Sequence, residues 1–196
     1  MGRDAAATKE RILAVAREAF ARHGYGGATV RSIAAEADVA PNLITRYFGG
    51  KAGLFESATR IDLGVAETLP GPFSSLGARI AARVVARWEG AGAEDPLLMM
   101  LRSAGTSDEA AAHLGNFFLE QAGQPMAAHL ADRLECRVEE AQDRVAGVGA
   151  LIMGVVMTRY VMGTGPLAAA GPAEITDWLG ERIQRLIGGA APPPLA

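Results

Sequence analysis

TVRSIAAEADVAPNLITRYFGGKAGLF, residues 29–55, decides the fold. Thr29 is a good N-cap, its hydroxyl able to accept from the amides of the following turn. Ile33, Ala34 and Ala37 recur at helical spacing, and Asp38-Val39 interrupts the run. Pro41 suits the first turn of a second helix, where its fixed φ fits and its missing N–H is not needed. Leu43, Ile44, Tyr47 and Phe48 continue with helical period until Gly49-Gly50 ends it. The pattern predicts two short helices on a tight turn, feeding a third from Lys51: a helix-turn-helix. Ile44 and Phe48 fill the inward face of the second helix, which leaves Leu43 for the outside.

Upstream, TKERILAVAREAFARHG predicts a helix from Thr8 to about His23. Ile12, Leu13, Ala16, Ala19 and Phe20 form its apolar stripe; Arg11, Arg17, Glu18 and Arg22 stay outside. Downstream, a linking helix is expected from Lys51 to about Glu67, with Leu54, Phe55, Ala58 and Ile61 inward, before Pro70-Gly71-Pro72 breaks it. Residues 75–90 read as a helix with Ile80, Val84 and Trp88 in line. Asp95-Pro96 opens another, PLLMMLRSAG. Ser107 with Asp108 and Glu109 starts the next, acidic in its first turn as the dipole favours. Gln124-Pro125 restarts the chain into MAAHLADRLE. A long helix from about Arg137 to Met162, a GTGPLAAAGP loop and a final helix over Ala173–Ile187 complete the pattern, and GGAAPPPLA closes it with the composition of a disordered tail. There is no repeat and no credible strand run, so the expected class is all-α.

The 196 residues carry a net charge of −3, unevenly divided. Residues 1–60 hold nine Lys/Arg and six Asp/Glu, giving +3, and residues 61–196 hold ten and sixteen, giving −6. A basic head on an acidic body fits local attraction to phosphate rather than a general nucleic-acid coat. The single cysteine, Cys136, excludes an internal disulfide and fits a reducing cytosol, and it reads as an incidental small residue. MGRDAAATKER lacks the apolar core of a signal peptide. The longest apolar stretch, Val145–Thr158, falls short of the roughly 20 residues that span a bilayer and reads as a buried helix. The expected setting is cytoplasmic and nucleoid-associated, with no membrane partner.

The ordered set over residues 8–56 carries a resemblance. An amphipathic helix, a Gly-Tyr-Gly-Gly-Ala-Thr loop, V-R-x-I-A-x-E-A, Val39, Pro41, Tyr47-Phe48, Lys51 and Leu54-Phe55 together resemble the N-terminal domain of the TetR family of transcriptional regulators. The resemblance implies an Ω-shaped homodimer with a three-helix DNA-binding domain at 1–56, a larger helical bundle for effector binding and dimerisation at 57–188, and a tail at 189–196. It assigns Thr29 and Arg31 to DNA contact, and Pro41, Asn42, Leu43, Thr45 and Arg46 to the groove-facing helix. Tyr47 and Lys51 go to phosphates. The chemistry agrees: Asn42 suits adenine, Arg46 guanine or a phosphate, and the Thr45 and Leu43 methyls a thymine methyl. Tyr47 and Lys51 position without reading sequence, and Lys51 opens a helix whose free amides attract phosphate. Two departures from the family pattern stand out. Ala40 replaces a frequent capping Ser or Thr, and Gly49-Gly50 replaces a less flexible pair, which predicts a looser start to the next helix.

In the body, the last two long helices are the dimer candidates. Val148, Leu151, Ile152, Val155 and Val156 cover one side of the first, while Gly147, Gly149 and Gly154 leave room for close backbone approach. Ile175, Trp178, Leu179 and Ile183 serve on the second. The resemblance implies a four-helix interface, and a two-fold dimer places two reading helices about 34 Å apart on a palindromic operator. For an effector pocket the candidates are Trp88, Met99, Met100, Arg102, Phe117 and Phe118, with Met126, Met153, Met157 and Tyr160 on later helices, since methionines and aromatics suit adaptable apolar sites. At helical spacing such residues are more often plain core, and that is the reading for any single one of them. His113 and His129 have no partner at metal-ligand spacing and read as surface residues; no metal and no cofactor are expected.

The function that follows is a DNA-binding transcriptional regulator, read as a repressor released by a small-molecule effector, and not an enzyme. The alternative is a helical small-molecule carrier or enzyme whose DNA-binding head is non-functional. It finds no G-x-S-x-G elbow, phosphate loop or paired metal motif in the chain. A third reading, non-specific DNA association, differs in having a binding ratio near unity between operator and random duplex.

Overall fold

The computed structural model describes residues 2–90 and 95–189, and among them every regular element is helical. In chain order these are α1 (Gly2–Gly27), α2 (Val30–Glu36), α3 (Pro41–Phe48), α4 (Lys51–Ala58), α5 (Val65–Thr68), α6 (Leu76–Glu89), α7 (Pro96–Ala104), α8 (Asp108–Phe118), α9 (Gln124–Leu134), α10 (Val138–Val155), α11 (Gly165–Ala169) and α12 (Pro172–Gly188). Two turns of π-helix, Leu119–Gly123 and Val156–Val161, follow α8 and α10, and a 3-10 turn, Phe73–Ser75, leads into α6. The sequence anticipated the caps. Thr29 caps α2, and Asp95 caps α7 by accepting from the amides of Leu97 and Leu98 at 2.9 and 3.3 Å.

Four elements depart from the sequence reading. The first helix, α1, expected over Thr8 to about His23, runs from Gly2 to Gly27. The linking helix expected to reach Glu67 stops at Ala58. The Thr59 hydroxyl donates to the Phe55 carbonyl at 2.7 Å, residues 60–64 leave the helix, and Gly64 turns left-handed at φ 64 before α5 restarts. The GTGPLAAAGP loop contains the short α11. The stretch read as a buried helix is largely uncovered instead. Val138–Val161 forms one 24-residue rod, by length and composition apolar enough to cross a membrane, and only 22% of its most apolar window is buried inside the chain. Of the expected tail, Gly189 is described, and residues 190–196 lie outside the described residues.

Backbone proximity groups the chain into two compact units, Met1–Asp62 with Gly92–Phe117, and Leu63–Ala91 with Phe118–Ala196. In the first, α1 buries Ile12, Ala16 and Phe20 against α2 and α4. Gly24, at φ 66, breaks α1 and turns Tyr25 inward. Phe20 and Tyr25 then both meet Phe55 edge-on, with ring centroids 4.9 Å apart in each case. α7 closes this wall. Met99 and Met100 are buried, and Ser103 Oγ accepts the Tyr25 amide at 3.1 Å. α8 adds His113, whose ring stands edge-on to Phe55 at 5.4 Å and whose Nε2 lies 3.1 Å from Thr59 Oγ1. Because the Thr59 proton is used on Phe55, His113 donates to Thr59, so the expected surface histidine is a half-buried packing residue.

In the second unit α6 and α12 form the tightest pair. Gly77 and Gly180 let the backbones approach, and the Gly77 amide donates to Gln184 Oε1 at 2.8 Å. Leu76, Ile80, Leu130, Ile175, Leu179 and Ile183 make the core between them and α9. α10 contributes one face, through Ala141, Val148 and Val155. Its buried Arg144 caps α12, donating from Nη1 to the carbonyls of Ile187 and Gly189 at 3.1 and 2.7 Å.

Candidate nucleic-acid interface

The reading head is set by α2, a tight turn and α3. Thr29 and Ser32 close a reciprocal cap: Thr29 Oγ1 accepts the Ser32 amide at 3.0 Å, and Ser32 Oγ accepts the Thr29 amide at 3.2 Å. Asp38, at φ 50, takes the left-handed conformation that a short polar side chain tolerates, which swings the chain into α3. No side chain caps α3 at Ala40, and Pro41 occupies its first turn. Ile44 is fully buried and anchors the helix inward. Pro41, Asn42, Thr45 and Arg46 are exposed together, with Leu43 half-buried beside them; Arg31 is exposed on α2. The residues assigned to groove contact therefore share the outward side of α3.

The exit from α3 explains its glycines. Gly49 and Gly50 have φ of 78 and 120, both in the region glycine favours. A Cβ on Gly53 would run into the Phe48 carbonyl oxygen. The glycine pair supplies a turn that other residues would strain.

Two cations sit on aromatic faces here. Lys51 Nζ lies 4.5 Å from the centroid of Tyr25, and Lys9 Nζ lies 5.3 Å from that of Tyr47. Both distances are within the range of a cation–π contact. Lys51 is thus half-buried over a core tyrosine. Burial and a hydrogen bond to Glu109 hold the Tyr25 phenol well above its usual pKa. Across the head, Arg22 pairs with Glu36 at 2.8 Å and pins α1 to α2.

The ten effector candidates divide between the two compact units. Met99, Met100, Arg102 and Phe117 belong to the first, where Met99 and Met100 are core and Arg102 is exposed. Trp88, Phe118, Met126, Met153, Met157 and Tyr160 belong to the second. Within it Trp88 stacks on Tyr160 at 5.7 Å. Arg159 stands beside this pair. It donates to Glu89 at 2.7 Å and from Nη1 to the carbonyls of Leu167 and Ala170 at 2.8 and 2.6 Å. The Tyr160 hydroxyl also donates to Glu89, at 3.1 Å. The Arg159 guanidinium holds the Glu89 carboxyl below its ordinary range.

Of the dimer candidates, Val148, Val155, Ile175, Leu179 and Ile183 are buried in the core of the second unit, because they line the faces of α10 and α12 that pack inward, and Val156, at the start of the π-helical turn after α10, is buried too. Leu151, Ile152 and Trp178 are half-exposed and pack against the margin of that core, the last with Arg182 stacked 3.8 Å over its ring. A Cβ on Gly149 or Gly154 would meet nothing within 4 Å, so their openness serves no packing inside one chain. Periodicity signalled two broad apolar helices correctly but could not say which stripe turns inward.

Comparison with known proteins places this architecture. A family model described as bacterial regulatory proteins, tetR family, matches residues 12–58, and one described as tetracyclin repressor-like, C-terminal domain, matches residues 74–187. The HTH-type transcriptional repressor SCO4008 of Streptomyces coelicolor is 51% identical over 55 residues, a match spanning 28% of this chain and 29% of that protein's length. The crystal structure of the TetR-family regulator SCO0857 from Streptomyces coelicolor has a TM-score of 0.68 and 26% identity, covering 92% of this chain and 94% of that one. The fatty acid degradation regulator FadR from Bacillus halodurans shares the fold alone, with a TM-score of 0.63 at 18% identity over 93% and 96% of the two chains.

Proposed function

The chain belongs to the TetR family of bacterial regulatory proteins, and on that premise we propose that it is a cytoplasmic DNA-binding transcriptional repressor, released from a palindromic operator by a small-molecule effector. One observation carries the reading: Asn42, Thr45 and Arg46 are exposed on one side of a short helix whose opposite residue, Ile44, is locked in the core. Such a helix presents an amide, a methyl-bearing hydroxyl and a guanidinium to base edges with its orientation fixed. The exposed Arg31 and the Thr29 cap lie at the start of α2, where backbone amides and a cation suit phosphate.

The protein works as a homodimer. A single two-turn reader makes too few contacts for selectivity, and a two-fold axis doubles them on a symmetric site. The partner face runs along the uncovered side of α10 past Gly149 and Gly154, with the half-exposed Leu151 and Ile152 at its two margins. The apolar rod meets a second subunit there rather than lipid, and the C-terminal family model spans all of it. The body binds an apolar or aromatic effector, which favours one of two arrangements of the dimer and shifts affinity for DNA by its differential affinity for the two. The functional division remains a reading head at 1–56 and a regulatory body at 57–188, and no catalytic chemistry is assigned.

Selection of bound fragments from random duplexes tests this directly. The expected result is a palindrome, bound far above random DNA. Arg46→Ala is expected to weaken it by about 1–3 kcal/mol and relax one position of the consensus. Tyr47→Phe weakens operator and random duplex alike. Unchanged binding in both variants would remove α3 from DNA recognition.

A further inference from the structure

Lys51, the lysine assigned to phosphate contact, is held over the ring of Tyr25, which is 6% exposed. The cation beside Tyr47 is a different residue. Lys9 lies on α1, one turn before Ile12 and in line with Ile12 and Ala16, both fully buried. Lys9 therefore continues the line of that stripe on exposed surface beyond the end of the core. Its ammonium lies 5.3 Å from the centroid of the Tyr47 ring, on the last turn of α3. Lys9 is exposed, and no carboxylate pairs with it among the described residues.

We propose that Lys9 is a further DNA-contacting residue of the reading head, gripping the same backbone phosphate as Tyr47, with the ammonium and the phenol hydroxyl on its two free oxygens. The inference rests on the DNA-binding reading above and deepens it. A lysine on a tyrosine face has two effects at once. It brings a compact positive charge to the edge of the recognition helix, and it restrains the ring that carries the hydroxyl. An ammonium matches a phosphate as a point charge, and the phenol adds a directional donor. Neither group reads a base, so the clamp contributes affinity and register but no sequence preference. It also ties the first helix to the recognition helix through the ligand, which the buried stripe alone does not do.

The test is a salt titration of binding to the selected duplex and to random duplex, read by fluorescence anisotropy, for wild type, Lys9→Gln, Lys9→Arg and Tyr47→Phe. Each phosphate contact contributes roughly 0.9 to the slope of log affinity against log salt. Lys9→Gln is expected to lower the slope by about 0.9 per reading head and to weaken both duplexes by the same factor, leaving their ratio unchanged. Lys9→Arg restores the slope, and the thermal midpoint of Lys9→Gln matches wild type. After Tyr47→Phe, Lys9→Gln has a smaller effect than it has alone, since the two share one phosphate. A Lys9→Gln slope equal to wild type overturns the clamp while leaving the DNA-binding reading intact. A wild-type affinity that does not respond to salt overturns both.

Discussion

Gly77→Ala should unfold the body far more easily than its chemistry suggests. A methyl at this position would lie 2.5 Å from the Gly180 carbonyl oxygen, 2.6 Å from the Gln184 amide nitrogen and 2.8 Å from Gln184 Cβ. Two of the three are backbone of α12 and cannot rotate away. Ordinary contact begins near 3.4 Å, so α6 and α12 must part by up to about 0.9 Å. A gap of that order forfeits a quarter to a half of each dispersion well along the seam, where Leu76, Ile80, Leu179 and Ile183 are packed. Overfilling of this kind costs about 1–3 kcal/mol. The usual gain of up to about 1 kcal/mol for replacing a helical glycine is reduced here, because residue 77 lies in the first turn of α6. The net loss is about 1–2 kcal/mol, a fall of roughly 2–8 °C in Tm for a chain of this size. Thermal and urea unfolding at fixed protein concentration measure it. Gly115→Ala on α8 is the control, since a Cβ there meets nothing within 4 Å, and it should stabilise by about 0.5–1 kcal/mol. A Gly77→Ala protein as stable as wild type, beside a stabilised Gly115→Ala, would refute the close approach of α6 and α12.

Other outcomes follow from the same structure. Glu89 has its folded pKa lowered chiefly by the Arg159 hydrogen bond, so its contribution is present above the ordinary value of 4.5 and fades as pH falls through the lowered one. Glu89→Gln should flatten the fall of Tm on acidification below that range, and a profile parallel to wild type would count against the pair. Thr59→Val removes the acceptor for His113 and should cost about 1–2 kcal/mol in urea unfolding, whereas Thr59→Ser should recover most of it. Gly154→Leu places a large side chain where one subunit leaves open space. It should leave the helical circular dichroism unchanged while sedimentation velocity shows dissociation to monomers, and an intact dimer would move the partner face elsewhere.

The reading head was legible because its signals are local. A hydroxyl three residues ahead of an amide, a proline in a first turn and a glycine pair at a helix end each act within a few residues, and the structure uses Thr29, Pro41 and Gly49 in those roles. What was not legible depends on distant partners. The linking helix halts at Thr59, whose hydroxyl bonds its own helix and meets a histidine 54 residues away. His113 therefore looked like a surface residue. The apolar stripes of α10 and α12 were visible, but the fully buried Val148 and Ile183 could not be told from the half-exposed Leu151 and Trp178 until the packing of α9 and α12 on α10, and of α6 on α12, fixed the centre of each inward stripe. Met99 and Met100 looked like pocket residues for the same reason. Their periodicity marks burial without naming the neighbour.

The aromatic wall of Phe20, Tyr25 and Phe55 is met by Ser103 of α7 and His113 of α8, so this unit draws on two stretches separated by some thirty residues of the other. On the ribosome the consequence is a wait. At about 5–20 residues per second, the 55 residues from Asp62 to Phe117 take roughly 3–11 s to appear. Throughout that interval the nascent head has its three rings but not the helices that shield them. A fragment truncated after residue 62 would be held permanently in that unfinished condition, with an oily flank where α7 belongs.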